Sequence, residues 1–239
     1  MPQQKEPQLI RNHLETSNLH VIRTGIFSVN TLIVPCGNKK VFVVDPAACR
    51  LSRDEDKITD YLRNKKLECV AIVLTHSHFD HIMGIAPLKK VFPKAPVLIH
   101  EAEFTELQNP PGSMGESVIR FFGSGSEMII SEVAKQPAAD IALKNDQTLA
   151  CIDSDDESEG KDWKVIHTPG HTPGSICLYN SKKGILISGD TLFAYGGYGR
   201  TDMCGGDQSL IVKSLRLLRE TISSETKIYP GHDEFGFTL

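Results

Sequence analysis

The sequence predicts an α/β protein built as a layered sandwich, with two β-sheets inside and helices outside. Three observations point there. Runs rich in β-branched residues occur in both halves of the chain, and helical patterns with one apolar face lie between them. In addition, residues 69–74 (CVAIVL) form a short, wholly apolar run of the kind found in strands buried on both faces. A chain of 239 residues suits one domain of generous size, expected to span residues 1–239. With 40% hydrophobic and 23% charged residues it has the material for a core without disulfide staples, which excludes a disordered chain.

Each element follows from its own pattern. HVIRTG (20–25), VNTLIVPCG (29–37) and KKVFVVDP (39–46) read as strands. Residues 52–64 read as a helix, with Ser52 and Glu55 as a capping box and Ile58, Tyr61 and Leu62 as its apolar face. After the buried strand 69–74, residues 81–92 (HIMGIAPLKKVF) read as a helix and 95–100 (APVLIH) as a strand. Residues 101–137 read as a helical insertion. Two further capping boxes, Ser113/Glu116 and Ser124/Glu127, precede apolar clusters of Val118, Ile119 and Phe122 and of Met128, Ile129 and Val133. Strands return at QTLACI (147–152), WKVIH (163–167), SICLYN (175–180) and GILISG (184–189). The acidic run 153–162 reads as a solvated turn, because it lacks the Gly and Glu positions of a calcium loop. Asp207 caps a last helix that buries Ile211, Leu215 and Leu218, and the strand TKIYP (226–230) follows.

Charge and composition narrow the function classes. A net charge of −4, with basic doublets scattered along the chain, argues against nucleic-acid and anionic-membrane partners. No apolar run approaches the ~18 residues that would span a bilayer, and the N-terminal stretch lacks the apolar core of an export signal. The cysteines at 36, 49, 69, 151, 177 and 204 show no CxxC spacing, so reduced buried thiols and a cytoplasmic location are expected.

The chemistry is concentrated at strand ends. The buried strand runs straight into Thr75-His76-Ser77-His78-Phe79-Asp80-His81. His76 and His78 point the same way on an extended segment, and Asp80 and His81 follow where the chain turns into a helix. One histidine at a strand end ordinarily satisfies a local hydrogen bond; four metal-capable side chains packed together signal a metal site. His171, Asp190 and His232 each follow a later strand. Imidazole and carboxylate without thiolate suit zinc, with iron and manganese as alternatives. Seven ligands exceed one tetrahedral ion, so two divalent cations sharing a carboxylate are expected.

The motifs THSHFDH, GHTPGS, GDTLF and PGHD resemble, in order, those of the metallo-β-lactamase superfamily over about residues 20–235. Within it they are most similar to glyoxalase II-like (hydroxyacylglutathione hydrolase-like) enzymes, and YGGYGRTDMCGGD (195–207) resembles the GRTD…GGD stretch of the short bacterial type. The resemblance implies a four-layer αββα metallo-β-lactamase sandwich with its metals at one sheet edge. It assigns His76, His78 and His171 to one metal and Asp80, His81 and His232 to the other, with Asp190 bridging. It also implies that Asp45 orients a ligand histidine from outside the coordination sphere; a simple turn former before Pro46 is the alternative. True β-lactamases of this fold usually carry Cys or Ser where Asp190 stands, and often Arg in place of His81. Flavodiiron proteins carry Glu in place of His78.

The function these features imply is hydrolysis of a small-molecule thioester by a metal-bridging hydroxide, with Asp80 ligating one metal and orienting the nucleophile. Two alternatives stand beside it: a mononuclear-iron persulfide dioxygenase on the same fold, and a non-enzymatic, metal-stabilised binding module. Long-type glyoxalase II enzymes contact glutathione through a C-terminal helical region, whereas here the chain ends at Leu239, soon after His232. Substrate contacts are therefore expected from the insertion and from Tyr195, Tyr198 and Arg200. Arg200 would either pair with a substrate carboxylate or hold its loop through Asp202 or Asp207. Acyl group, thiol carrier and oligomeric state are left open.

Overall fold

The computed structural model describes residues 19–108, 118–120, 122–150, 152 and 159–239. The Ser113/Glu116 pair, Cys151 and residues 153–158 of the acidic run lie outside the described residues.

Two sheets form the middle of the molecule. The first has six strands in sequence order: β1 (His20–Thr24), β2 (Val29–Pro35), β3 (Lys40–Val44), β4 (Glu68–Val73), β5 (Val97–His100) and β6 (Ile141–Leu143). β1, β2 and β3 form an antiparallel meander, while β3 to β6 are parallel. The second sheet has the order β10-β9-β8-β7, from β7 (Lys164–His167), β8 (Ile176–Asn180), β9 (Ile185–Gly189) and β10 (Lys227–Pro230). Only β9 and β10 in it run parallel.

The sheets face each other through Leu32, Val34, Phe42, Val44, Val73 and Leu98 on one side and Val165, Ile176, Leu178, Ile185 and Ile187 on the other. Phe42 meets Trp163 edge-on, with ring centroids 5.8 Å apart. Each such side chain fully buried contributes roughly 1.5–3 kcal/mol. Helices α1 (Lys57–Lys65), α2 (Phe79–Ile82), α3 (Ile85–Val91) and α5 (Ser126–Val133) cover the outer face of the first sheet through Ile58, Leu62, Ile82, Leu88, Ile129 and Val133. Helix α6 (Gln208–Thr221) covers the second through Leu218. The layers are therefore αββα. A short helix, α4 (Glu101–Phe104), follows β5 directly.

Several local readings are corrected. The first helix begins at Lys57, and Ser52 is not its cap. The Ser52 hydroxyl is taken by Asp54, whose carboxylate also accepts from the Gly25 and Cys49 amides at 2.8 and 3.0 Å. Residues 81–92 form no continuous helix: the chain breaks near Gly84, whose amide donates to the Pro46 carbonyl at 2.7 Å. Helix α5 has Gly125 in its N-cap position, one residue beyond the predicted Ser124. The described residues of QTLACI form no strand and meet β7 at the isolated Thr148–Lys164 bridge, where the Val165 amide donates to the Gln147 carbonyl at 2.8 Å, and residues 141–143 pair as β6 instead. Ile119 and Met128 face solvent, unlike Val118, and Leu215 is half-buried. Asp207 does cap α6, accepting from the Ser209 and Leu210 amides at 2.7 and 3.0 Å.

Candidate metal centre

Parallel pairing brings the functional residues to one end of the sandwich. Val44 of β3 pairs with Val73 of β4, so Asp45 and the segment Thr75–His81 leave the first sheet side by side. Gly189 of β9 pairs with Pro230 of β10, so Asp190 and His232 leave the second sheet together. His171 sits on the connection between β7 and β8. Ligand candidates from both sheets thus converge on one edge.

Within 4.8 Å of one another lie ligand atoms of His76, His78 and His171, and, as a second group, of Asp80, His81 and His232. Asp190 stands between them: Oδ2 is 3.5 Å from His171 Nε2 and 3.6 Å from His232 Nε2, and Oδ1 is 3.6 Å from His81 Nε2. Asp80 Oδ2 lies 3.4 Å from His232 Nε2. The chain approaches so closely here that a Cβ on Gly231 would lie 2.3 Å from Asp190 Oδ1, which is why glycine precedes His232.

Hydrogen bonds on the outer side of each ring decide which nitrogen faces inward. His81 Nδ1 lies 3.0 Å from Asp45 Oδ2, His171 Nδ1 2.7 Å from the Arg200 carbonyl and His232 Nδ1 3.2 Å from the Phe27 carbonyl. These oxygens only accept, so each Nδ1 carries a proton and Nε2 is the nitrogen left to face a cation. The Thr75 hydroxyl donates to Asp45 at 2.6 Å, which leaves its oxygen to accept from His76 Nδ1 at 3.0 Å. His76 Nε2, His171 Nε2 and Asp190 Oδ1 are buried without a hydrogen-bond partner. Orphaned buried acceptors are costly. A pair of cations would satisfy all of them, so the donor set fits a metal centre.

Electrostatics agree with that arrangement. Burial and the neighbouring histidines hold His76 and His78 well below the ordinary imidazole range, as neutral rings. Burial also disfavours charge on His81, but Asp190, Asp80 and Asp45 push it up to about 10. Asp80 is buried too, yet His81 and His232 hold it well below the usual carboxylate range. The centre between the carboxylates therefore favours a positive charge, which a proton or a metal ion can supply. Nearby, burial raises Glu103 to about 7, while hydrogen bonds from Thr172, Gly174 and Ser77 pull it down.

The loop residues are placed differently. Arg200 forms a two-pronged pair with Asp202, Nε and Nη2 each 2.7 Å from a carboxylate oxygen, which is the loop-holding arrangement. The Tyr195 hydroxyl donates to Glu234 at 2.9 Å, and the Tyr198 hydroxyl accepts from Gln208 at 3.0 Å. Three contributors had no sequence signal: the carbonyls of Phe27 and Arg200, because any residue carries one, and Glu103, which lies in no motif.

The chain matches the family model of the metallo-beta-lactamase superfamily over residues 23–232. It belongs to that superfamily. The metallo-beta-lactamase superfamily chain is similar to the probable metallo-hydrolase YqgX of Bacillus subtilis (strain 168), 34% identical over 176 residues covering 74% of each protein. It is 24% identical over 225 residues to the hydroxyacylglutathione hydrolase GloC of Haemophilus influenzae, covering 91% of this chain and 92% of GloC. Among solved structures it resembles the BLEG-1 B3 metallo-beta-lactamase, with a TM-score of 0.72, 29% identity and coverage of 90% and 92%. Superfamily members are mostly metal-dependent hydrolases. Among the described residues, no helix is long and apolar enough to cross a membrane.

Proposed function

We propose that the chain is a dinuclear metal hydrolase that cleaves a small-molecule thioester, of the glyoxalase II-like kind. The observation that carries the two-cation reading is the set of inward-facing Nε2 atoms, each fixed by an acceptor behind its Nδ1, around the shared carboxylate of Asp190. His76, His78 and His171 would hold one divalent cation and Asp80, His81 and His232 the other, with Asp190 between. When bound, such a pair, most simply zinc, lowers the pKa of water toward neutrality and polarises a carbonyl.

The chain's own residues do the rest. Asp45 and Thr75 orient His81 and His76 from behind. Asp80, kept ionised, accepts a hydrogen bond from the attacking water and aims it. A thiol leaves with a pKa near ~8.5, so no strong general acid is required. Arg200, through its carbonyl on His171 and its pair with Asp202, ties the loop 194–204 to the centre. Thioesters are favoured as substrates by this chemistry together with the similarity to GloC, whose name states that activity. Neither a nucleic acid nor a membrane belongs to this reading.

The test is a panel of acyl-glutathione thioesters, other acyl-thiols, a persulfide and β-lactams, assayed with metal-stripped and zinc-reloaded protein. Thioester cleavage that vanishes with chelator and returns with zinc is the expected result. Cleavage confined to a β-lactam, or dioxygen consumption with persulfide on one iron, would overturn it.

A further inference from the structure

We propose that Glu103 is a positioning residue whose one buried carboxylate clamps the loop of His76 and His78 to the loop of His171, and so sets the spacing of the three-histidine cation site. The proposal rests on the two-cation reading above. Glu103 is 1% exposed. Its Oε2 accepts from the Ser77 amide at 2.8 Å, and its Oε1 accepts from the Gly174 amide at 3.2 Å. The Thr172 side chain lies beside the carboxylate and favours its charged form, while its hydroxyl bonds Ser175 Oγ at 2.7 Å. Ser77 lies between His76 and His78, and Thr172 and Gly174 follow His171 within three residues.

These two loops belong to different sheets. The first leaves β4 of the six-stranded sheet, while the second joins β7 to β8 of the four-stranded one. Glu103 stands on α4, at the end of β5, which pairs in parallel with β4. Its own backbone is held: His100 caps α4 by accepting from the Ala102 amide at 3.3 Å, and its ring stacks on His167 at the end of β7, with centroids 4.0 Å apart. Glu106, one turn on, accepts from the Ser77 hydroxyl at 3.0 Å. At Gly174 a Cβ would stand 2.7 Å from Glu103 Cγ, so glycine lets the loop come within reach of the carboxylate.

Packing alone does not account for the residue type. Burying a carboxylate is costly unless it is fully bonded. Its bonds here are directional and reach backbone beside all three histidines. Partners of this kind tune metal affinity by ~10–100-fold.

The experiment titrates metal-free protein with Co²⁺, following the visible absorption of the ligated ion, with chelator competition for Zn²⁺. Wild type is compared with Glu103→Gln, Glu103→Ala and Thr172→Val, and the melting temperature of each metal-free form is recorded. Glu103→Gln keeps one acceptor and sets an amide N–H₂ against the other donor. The expected result is ~10–100-fold weaker binding and an altered spectrum at one of two sites, with the other site unchanged, and a smaller effect for Thr172→Val. A folded Glu103→Gln with wild-type affinity and spectrum at both sites would overturn the proposal, as would equal weakening of both. If Glu103 variants do not fold, Gly174→Ala, whose Cβ would stand 2.7 Å from Glu103 Cγ and displace the carboxylate, decides by the same criterion. Should wild type take up only one ion, the two-cation reading fails by itself. Glu103 is then judged on that ion, weakened in the variant or not.

Discussion

His81 shows how much chemistry one residue can hold. Its Nδ1 is fixed by Asp45, and its Nε2 faces His232 at 3.2 Å, Asp190 at 3.6 Å and Asp80 at 3.7 Å. Removing Asp45 leaves three buried donors without an acceptor: the Thr75 amide, the Thr75 hydroxyl and His81 Nδ1. Asp45→Ala should therefore destabilise the metal-free protein by about 2–4 kcal/mol, measured by urea unfolding. An effect within ~0.5 kcal/mol, the range of surface substitutions, would contradict the bonding described. Asp80 differs, because the proposed function directs it at the attacking water. Asp80→Ala should lower turnover by ~10²–10⁴-fold with little change in KM. A raised KM at unchanged turnover would instead place Asp80 in substrate binding.

At the scale of elements, parallel strand pairing explains why motifs far apart in the chain meet. The apolar run 69–74 and the β-branched runs before it made β3 and β4 legible, and with them the point where His76 emerges. Asp207 was legible as a helix cap because its carboxylate does bond the first free amides of α6. Ser52 was misread because the same Ser-x-x-Glu spacing also fits a turn organised by Asp54. The two cases predict opposite outcomes in thermal denaturation. Asp207→Ala should cost about 1 kcal/mol. Ser52→Ala should cost less than Asp54→Ala, which strips the acceptor from the Gly25 and Cys49 amides. Equal losses at 52 and 54 would restore the capping reading. β6 was illegible: residues 141–143 are too few for a period, and only the edge of β5 makes them a strand. Glu103 was illegible because the groups it binds are the backbone amides of Ser77 and Gly174, 26 and 71 residues away.

At the scale of the molecule, the centre joins the two sheets. His76, His78, Asp80 and His81 come from the first, and His171, Asp190 and His232 from the second. Cations held between them, as proposed, would bind the folded state alone, so saturation with zinc at ~100 times Kd should add about 2.7 kcal/mol per site and raise the melting temperature. A melting temperature insensitive to zinc would show that no ion bridges the sheets. Zinc counting by elemental analysis, after exhaustive dialysis of zinc-loaded protein, tests the shared centre most directly. Wild type should retain two zinc ions per chain, and His232→Ala should retain one. A single ion per chain, kept in full by His232→Ala, would contradict it.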